Sequence, residues 1–335
     1  MSVATSSQPM MTRRYWMAVS AGSAAIAAAG FVPQGLAQPR VKVARILTGY
    51  MPGLPDAAAR LVAGQMREYA SSMVVETRPG ASGRVAVEAV KYASVDGSVI
   101  LFAPLGFITL FPHVYKTLSY QPQDFIPVST VASSANVLTV GPKVPGDVRT
   151  LGDFVAWCRA NPRDATYGTA GVGTSLHFIG AMLGRMAGFE FVHVPYQGRA
   201  AAHDVQKGTI ASAILPIGST LGLVEAGALR ALATTGPHRS LFLADVPTMA
   251  EAGYPELQDV TWFGFFLPAK TPTDIVESLD GGIQEALRAD EVKSGMAKLS
   301  VEIDAISKGD FARLIASESD RWKTIVQATG FVPTD

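Results

Sequence analysis

The chain has 335 residues, 48% hydrophobic and 17% charged, and its 28 Lys and Arg balance 28 Asp and Glu. This composition excludes a disordered chain, and the absence of net charge excludes a broad basic footprint, so no nucleic-acid partner is expected. The 32 Gly and 21 Pro are spread singly along the chain, as turn punctuation in a loop-rich α/β protein.

The N-terminal stretch "MTRRYWMAVSAGSAAIAAAGFVPQGLAQP" begins with Arg13 and Arg14, continues through an Ala-rich apolar run from Ala18 to Phe31, and ends in small residues at Gly35 and Ala37. These are the parts of an export signal over 1–37, cut near Ala37. Adjacent arginines fit either the twin-arginine or the general secretory route. A membrane anchor fits less well, because the run is shorter than the ~20 residues needed to span a bilayer. Export to the periplasm is therefore expected, leaving roughly 300 residues, enough for two domains.

Beyond Gln38 the pattern alternates. Apolar, β-rich runs near Val41 to Leu47, Met73 to Glu76 and Val99 to Ala103 are each followed by a helical stretch, which predicts parallel βαβ units. After Val140 come a helix near Leu151 to Arg159, strand "ATYG", a helix over Ser175 to Met186, strand "FVHV", a helix over Ala200 to Lys207, strand "IASAIL" and then "ALRALATT". A third segment supplies "WFGFFLPA" and helices near Thr273 to Arg288 and Phe311 to Ala328. Two α/β lobes are expected: 38–140 begins the first, 141–260 forms the second, and 261–335 returns to the first. The stretches "NVLTVGP" and "TWFGFFL" are the natural crossings, and a cleft between the lobes is the default ligand site.

Three strand-to-helix junctions are rich in glycine: Gly49 to Arg60, Arg78 to Arg84 and Gly168 to His177. The first N–H groups of a helix lack intrahelical partners and carry the positive end of its dipole, so such junctions attract anions, and glycine lets the backbone approach a bound group. Pro55 at the first helical position would make Leu54 the N-cap and leave the amides of Asp56, Ala57 and Ala58 open. Asp56 either meets the ligand or complements the helix dipole. Thr174 and Ser175 either cap their own helix or offer hydroxyls to a carboxylate.

Catalytic patterns are weak. In "GTSLH" His177 stands where a nucleophile elbow needs glycine, and neither "GTAGVGTS" nor "RPGASG" completes a dinucleotide or P-loop motif, so no cofactor is expected. His113, His177, His193, His203 and His238 are scattered without metal-ligand spacing, which predicts structural or surface roles and no metal. Cys158 shares a helical face with Leu151, Phe154 and Val155, so it reads as a buried thiol without an activating partner. No catalytic residue is assigned.

The blocks "PDAAARLVAGQM", "VVETRPGASGRVAVEAVKYASVDGSVILFA", "YQPQDFIPVSTVASSANVLTV", "YGTAGVGTSLHFIGAMLGRMAGFEFVHVPYQG", "GALRALATTGPHRSLFLADVPTMAEAGYPEL" and "WFGFFLPAKTP" cover essentially the whole mature length. In this order they resemble the periplasmic solute-binding proteins of tripartite tricarboxylate transporters, the Bug proteins. The resemblance implies a two-lobed α/β fold of the type II periplasmic-binding class, closing on a small organic acid. It implies a monomer that serves membrane permease subunits or, alternatively, a sensor protein; a hydrolase on a similar scaffold is the remaining alternative. It further implies that the ligand meets the first loop (Tyr50, Met51, Pro52, Gly53, with Asp56), the second (Gly80, Ala81, Ser82) and the third (Gly173, Thr174, Ser175).

The chain departs from the family pattern at several of these places. "YMPGLPD" has one glycine fewer than the usual first loop, Leu105 and Phe107 follow strand three where Ser or Thr is frequent, and Pro216, Ile217 and Gly218 replace an acidic or amide residue. Together they predict a more apolar pocket, suited to a monocarboxylate or an aromatic acid. Arg199 either holds a second ligand group in a bidentate fork or is a solvated helix-start arginine, and Tyr196 either covers the ligand or packs ordinarily.

Overall fold

The computed structural model describes residues 41–50, 53–196 and 200–333. The signal assigned to 1–37 and the site candidates Met51, Pro52 and Arg199 lie outside the described residues.

The chain opens with strand β1 (Val41–Thr48), whose Ala44 and Ile46 bury one face while Leu47 buries the other. Helix α1 (Leu54–Ala63) lays Ala58, Ala59 and Val62 on that sheet. Strand β2 (Ala70–Thr77) pairs parallel with β1, helix α2 (Arg84–Lys91) follows, and β3 (Val99–Pro104) pairs parallel on β1's other edge. All six residues of β3 are buried, as expected for a strand covered on both faces. Two short helices, α3 (Gly106–Thr109) and α4 (Phe111–Val114), complete the first run.

Strand β4 (Phe125–Val140) spans 16 residues. Next come α5 (Leu151–Ala160), β5 (Thr166–Thr169), α6 (Ser175–Met186), β6 (Val192–Pro195), α7 (Ala200–Gln206), β7 (Ser212–Pro216), α8 (Ile217–Glu225) and β8 (Arg230–Thr234). The last part holds β9 (Val260–Pro268), α9 (Thr273–Ala286), α10 (Asp290–Lys298), β10 (Glu302–Ile303) and α11 (Lys308–Ala328).

Among the described residues ten strands join one sheet, in the order β2-β1-β3-β9-β4-β7-β5-β6 with β8 and β10 also on β4. Strand β4 ties its two halves together. From Phe125 to Ala135 it runs antiparallel to β9, and from Asn136 to Val140 antiparallel to β7 and β8. The change of partner falls at Asn136. There Thr235 takes over the edge: its hydroxyl accepts the Asn136 N–H at 3.0 Å, and its own N–H donates to the Asn136 carbonyl at 2.9 Å. The Asp259 N–H donates to the Thr235 carbonyl at 2.7 Å, so both connections between the halves are pinned at one point.

The sheet is mixed rather than purely parallel, because β4 and β9 run against their neighbours. The alternation also hides the length of β4, since Ser129, Thr130, Ser133 and Ser134 interrupt its apolar pattern. Their burial is tolerated because hydroxyls find backbone partners: Thr130 donates to the Asp304 carbonyl at 2.7 Å and accepts the Ile306 N–H at 2.7 Å.

One apolar cluster surrounds Ile46, Phe102, Phe265 and Leu279, and another surrounds Leu138, Phe154, Tyr167 and Ile214. A third gathers Leu101, Phe107 and Phe111 with Phe178 of α6 and Trp322 of α11, so the final helix packs against residues from both halves of the sheet. Cys158 is buried in the second cluster, and burial pushes its thiol up to about 12, which leaves it unreactive at neutral pH.

Helix α5 begins with a reciprocal cap: Thr150 accepts the Asp153 N–H at 3.1 Å, and the Asp153 carboxylate accepts the Thr150 N–H at 3.0 Å. Thr150→Ala is expected to lower unfolding free energy by about 1 kcal/mol in a urea titration, the usual cost of a lost cap. An unchanged midpoint would contradict that role.

Candidate functional site

The three glycine-rich junctions follow β1, β2 and β5, at the carboxyl ends of parallel strands, where open α/β sheets take their ligands. The first two touch. A Cβ on Gly49 would fall 2.7 Å from the Gly83 Cα and 2.8 Å from the Phe107 ring, so only glycine allows this approach. Tyr50 packs its ring 5.1 Å from Phe107, and an aromatic ladder continues to Phe111 at 5.0 Å and Tyr115 at 5.2 Å. Burial raises the Tyr50 hydroxyl well above its ordinary pKa, with Tyr115 adding to the effect, so Tyr50 stays a neutral donor near neutral pH.

The start of α1 differs from the expectation. Gly53 is the N-cap, in an extended conformation, and Leu54 and Pro55 are the first two helical residues. The Ala57 N–H donates to the Gly53 carbonyl at 2.9 Å, so it belongs to the helix and is not open to a ligand. A proline fits the first or the second helical position equally well, since neither needs an N–H, so the proline alone does not fix which residue begins the helix. Asp56 accepts two bonds from Arg60, at 3.0 and 3.1 Å, in a pair one helical turn apart.

The second loop carries four consecutive residues with positive φ: Gly80 at 137°, Ala81 at 46°, Ser82 at 56° and Gly83 at 95°. Ala81 and Ser82 are strained there, since a side chain disfavours this conformation by about 1–3 kcal/mol per residue. Leu105, by contrast, is buried in the same cluster as Phe107, and forms part of the wall beneath the loops.

The third loop rests on its own helix and on the first half of the molecule. Thr174 donates to the Gly171 carbonyl at 3.0 Å and accepts the His177 N–H at 3.4 Å, so of its two alternatives the structure shows the cap. The Gly173 N–H donates to His177 Nδ1 at 3.2 Å. A Cβ on Gly173 would lie 2.6 Å from Val114 Cγ1 and 3.9 Å from the Tyr115 hydroxyl, which brings this loop against α4. Burial raises the Asp259 carboxyl to about 6, against Arg321 and, less strongly, the adjacent Ser175, which favour its charged form. Arg321 of α11 donates to Asp259 at 3.2 Å and also bonds the Gln258 carbonyl.

Tyr196 donates its hydroxyl to Asp204 at 2.9 Å, and burial followed by that carboxylate pushes it up to about 12. Pro216 ends β7 opposite Asn136 and precedes α8, which has no side-chain cap. His177 and His193 stack at 4.2 Å, and the His193 Nε2 meets the Thr169 hydroxyl at 2.7 Å. Burial lowers His177 to about 4, and burial with the neighbouring His177 lowers His193 to about 3. These two rings act as neutral packing and hydrogen-bonding groups.

The structure therefore assembles the Gly49–Tyr50 end of the first loop, Gly80–Gly83 and Gly173 around Phe107, Phe111 and Tyr115. It places Leu105 in the core and turns Asp56, Thr174 and Tyr196 toward partners within the chain. Tyr115 and Arg84 in this cluster escaped the sequence reading; an arginine at a helix start, against the dipole preference, was the available signal for Arg84. Among the described residues no group of three His, Cys, Asp or Glu could hold a metal. What the arrangement offers is backbone amides, hydroxyls and close-set loops, which is equipment for binding.

A mixed α/β sheet in two halves, with glycine-rich loops at its carboxyl strand ends, has the fold of a periplasmic binding protein. The chain belongs to the tripartite tricarboxylate transporter family of receptors, whose sequence profile matches residues 58–331. That is a family of solute receptors rather than enzymes. The chain is 31% identical over 286 residues to Protein BugT of Bordetella pertussis, covering 83% of this chain and 86% of that one. It is 33% identical over 280 residues to a protein encoded between tcbD and tcbE in Pseudomonas sp. strain P51, with 82% of each chain covered. An R. palustris protein solved with adipate superimposes with a TM-score of 0.80 at 30% identity, covering 88% of this chain and 99% of that one.

Proposed function

We propose that this chain is an exported receptor that closes its two lobes on a small carboxylate and presents it to the membrane subunits of a tripartite tricarboxylate-type transporter. In this reading 38–140 and 261–335 form one lobe, 141–260 forms the other, and the protein works in the periplasm as a monomer.

The observation that carries the reading is the convergence of three strand-end loops, two from one half of the sheet and one from the other, with Gly173 seated against Val114 and Tyr115. Loops that meet across the two halves can enclose a ligand, and helix starts at their ends favour an anion. Enclosure excludes water and strengthens each bond to the carboxylate. The adipate held by the R. palustris relative supports the same ligand class.

A thermal-shift screen of the chain from Gln38 onward, against mono-, di- and tricarboxylates, aromatic acids and uncharged amides, tests this proposal. Carboxylates are expected to stabilise the protein, by about 2.7 kcal/mol at a hundredfold excess over the dissociation constant. Stabilisation by uncharged amides alone would overturn it.

A further inference from the structure

We propose that a cavity behind the crossover strands is a second binding site, and that it takes a small organic ammonium ion. The inference goes beyond the receptor reading above and uses none of the three glycine-rich loops.

The cavity measures about 80 Å³. One water molecule needs roughly 10–15 Å³, so there is room for a small solute. Its floor is Ser133 and Ala135 of β4 with Val260 and Trp262 of β9, just before β4 changes partners at Asn136. One wall is Glu302 of β10 with Asp304 just beyond it, in one half of the sheet, and the other is the loop from Gly236 to Ser240, which follows β8 of the other half. An occupant therefore touches both halves.

This is the face of β4 turned away from the helices that begin at the first and third loops. Ala132 packs in one cluster with Ala58, Ala59 and Val62 of α1, and Leu138 packs in another with Leu176 and Ile179 of α6. Side chains alternate along a strand, so Ser133 and Ala135 point the other way.

The polar groups in the cavity lack partners. Ser133 is only 7% exposed, and among the described residues its hydroxyl has no hydrogen bond within the chain. Glu302 and Asp304 form no ion pair, and what sets them apart from the other unpaired carboxylates is that both line one enclosed space. Burial, followed by the charge of Glu302, raises the Asp304 carboxyl above its ordinary range, and no basic side chain offsets either effect. Two carboxylates that repel each other favour a bound cation between them.

The lining selects an organic cation over a metal. Among the described residues no three His, Cys, Asp or Glu could hold a metal, although His238 lines the same cavity as the two carboxylates. Trp262 supplies an indole ring, which attracts organic cations. An ammonium group has three N–H donors, enough for both carboxylates and the Ser133 hydroxyl, while its carbon stem packs on Val260 and Ala135.

The test is titration calorimetry with putrescine, butylamine, uncharged butanediol and calcium, at constant ionic strength and with no carboxylate ligand present. It uses the wild type, Glu302→Gln, Asp304→Asn and, as a control, Glu285→Gln on the exposed side of α9, after unfolding curves confirm that the variants fold. The wild type is expected to bind an amine at one saturable site per chain and to ignore butanediol. Glu302→Gln and Asp304→Asn are each expected to weaken the amine about tenfold or more, the usual loss for a charge-assisted bond, and Glu285→Gln to leave it unchanged. No saturable binding of either amine at millimolar concentration, unchanged affinity in either cavity variant, or binding of calcium or butanediol in place of the amines would overturn this inference. Each of those results leaves the receptor reading standing, because that reading is tested by carboxylates alone.

Discussion

Gly83→Ala is expected to destabilise the protein by about 2–5 kcal/mol and to abolish ligand binding. Two costs combine. At φ of 95° a Cβ is strained by about 1–2 kcal/mol, and the added methyl would collide with the Phe107 ring, adding about 1–3 kcal/mol of overpacking. Phe107 cannot retreat easily, since it is buried and packed between the tilted ring of Tyr50 and the stacked ring of Phe111. Relief must therefore come from the loop, which would move away from Gly49 and carry Arg84 with it. Gly188→Ala is the control, because Gly188 also has positive φ, 66°, but open space where its Cβ would stand. Urea unfolding of both variants separates backbone strain from collision. Equal losses for the two would contradict the close packing of the loops.

The second large effect is acid lability centred on the stacked histidines. His177 and His193 are held neutral by burial, at about 4 and about 3, so the unfolded chain takes up protons first as the pH falls below about 6.5. Their contribution is fully present above pH 6.5 and is lost progressively toward pH 3–4. For the pair, about 1.4 kcal/mol per pH unit between 6.5 and these values sets an upper limit of about 8 kcal/mol, which solvent screening of the half-buried rings reduces. Asp259 works in the opposite sense: raised to about 6, it loses stability as the pH climbs from about 4 to 6. Comparison with His193→Asn at each pH removes that term. Between pH 7 and 4 the wild type is expected to lose about 3 kcal/mol more than the variant, and parallel curves would refute the assignment. Binding should weaken over the same window, because His177 Nδ1 accepts the Gly173 N–H only while the ring is neutral.

Much of the fold was legible because its signals are local. Helices over Ser175–Met186 and Leu151–Ala160, and strands at Val41–Thr48 and Val99–Pro104, follow from periodicity and apolar runs that tertiary context did not override. Helix α8 was not, since "PIGSTLGLVEAG" reads as a glycine-broken loop and forms only by packing Ile217 and Thr220 inward. The antiparallel course of β4 and β9 depends on pairing across more than a hundred residues, which no local pattern encodes.

The meeting of the three loops was legible at their glycines. Gly49, Gly83 and Gly173 each sit where a side chain would strike a neighbour, so their positions between strand and helix carried real information. The cap by Thr174 was one of two readings the sequence allowed; what escaped was that Asp56 spends its carboxylate on Arg60, and that Tyr115 comes from a segment with no motif at all. Such contacts arise only when distant strands have been brought together.

The measurement that tests the central claim most directly is titration calorimetry of the chain from Gln38 onward with linear dicarboxylates, followed by chemical analysis of the recovered ligand. The account predicts one saturable site per chain and an acid returned unchanged. An acid recovered converted, or no heat with any carboxylate while an uncharged solute binds, would contradict it.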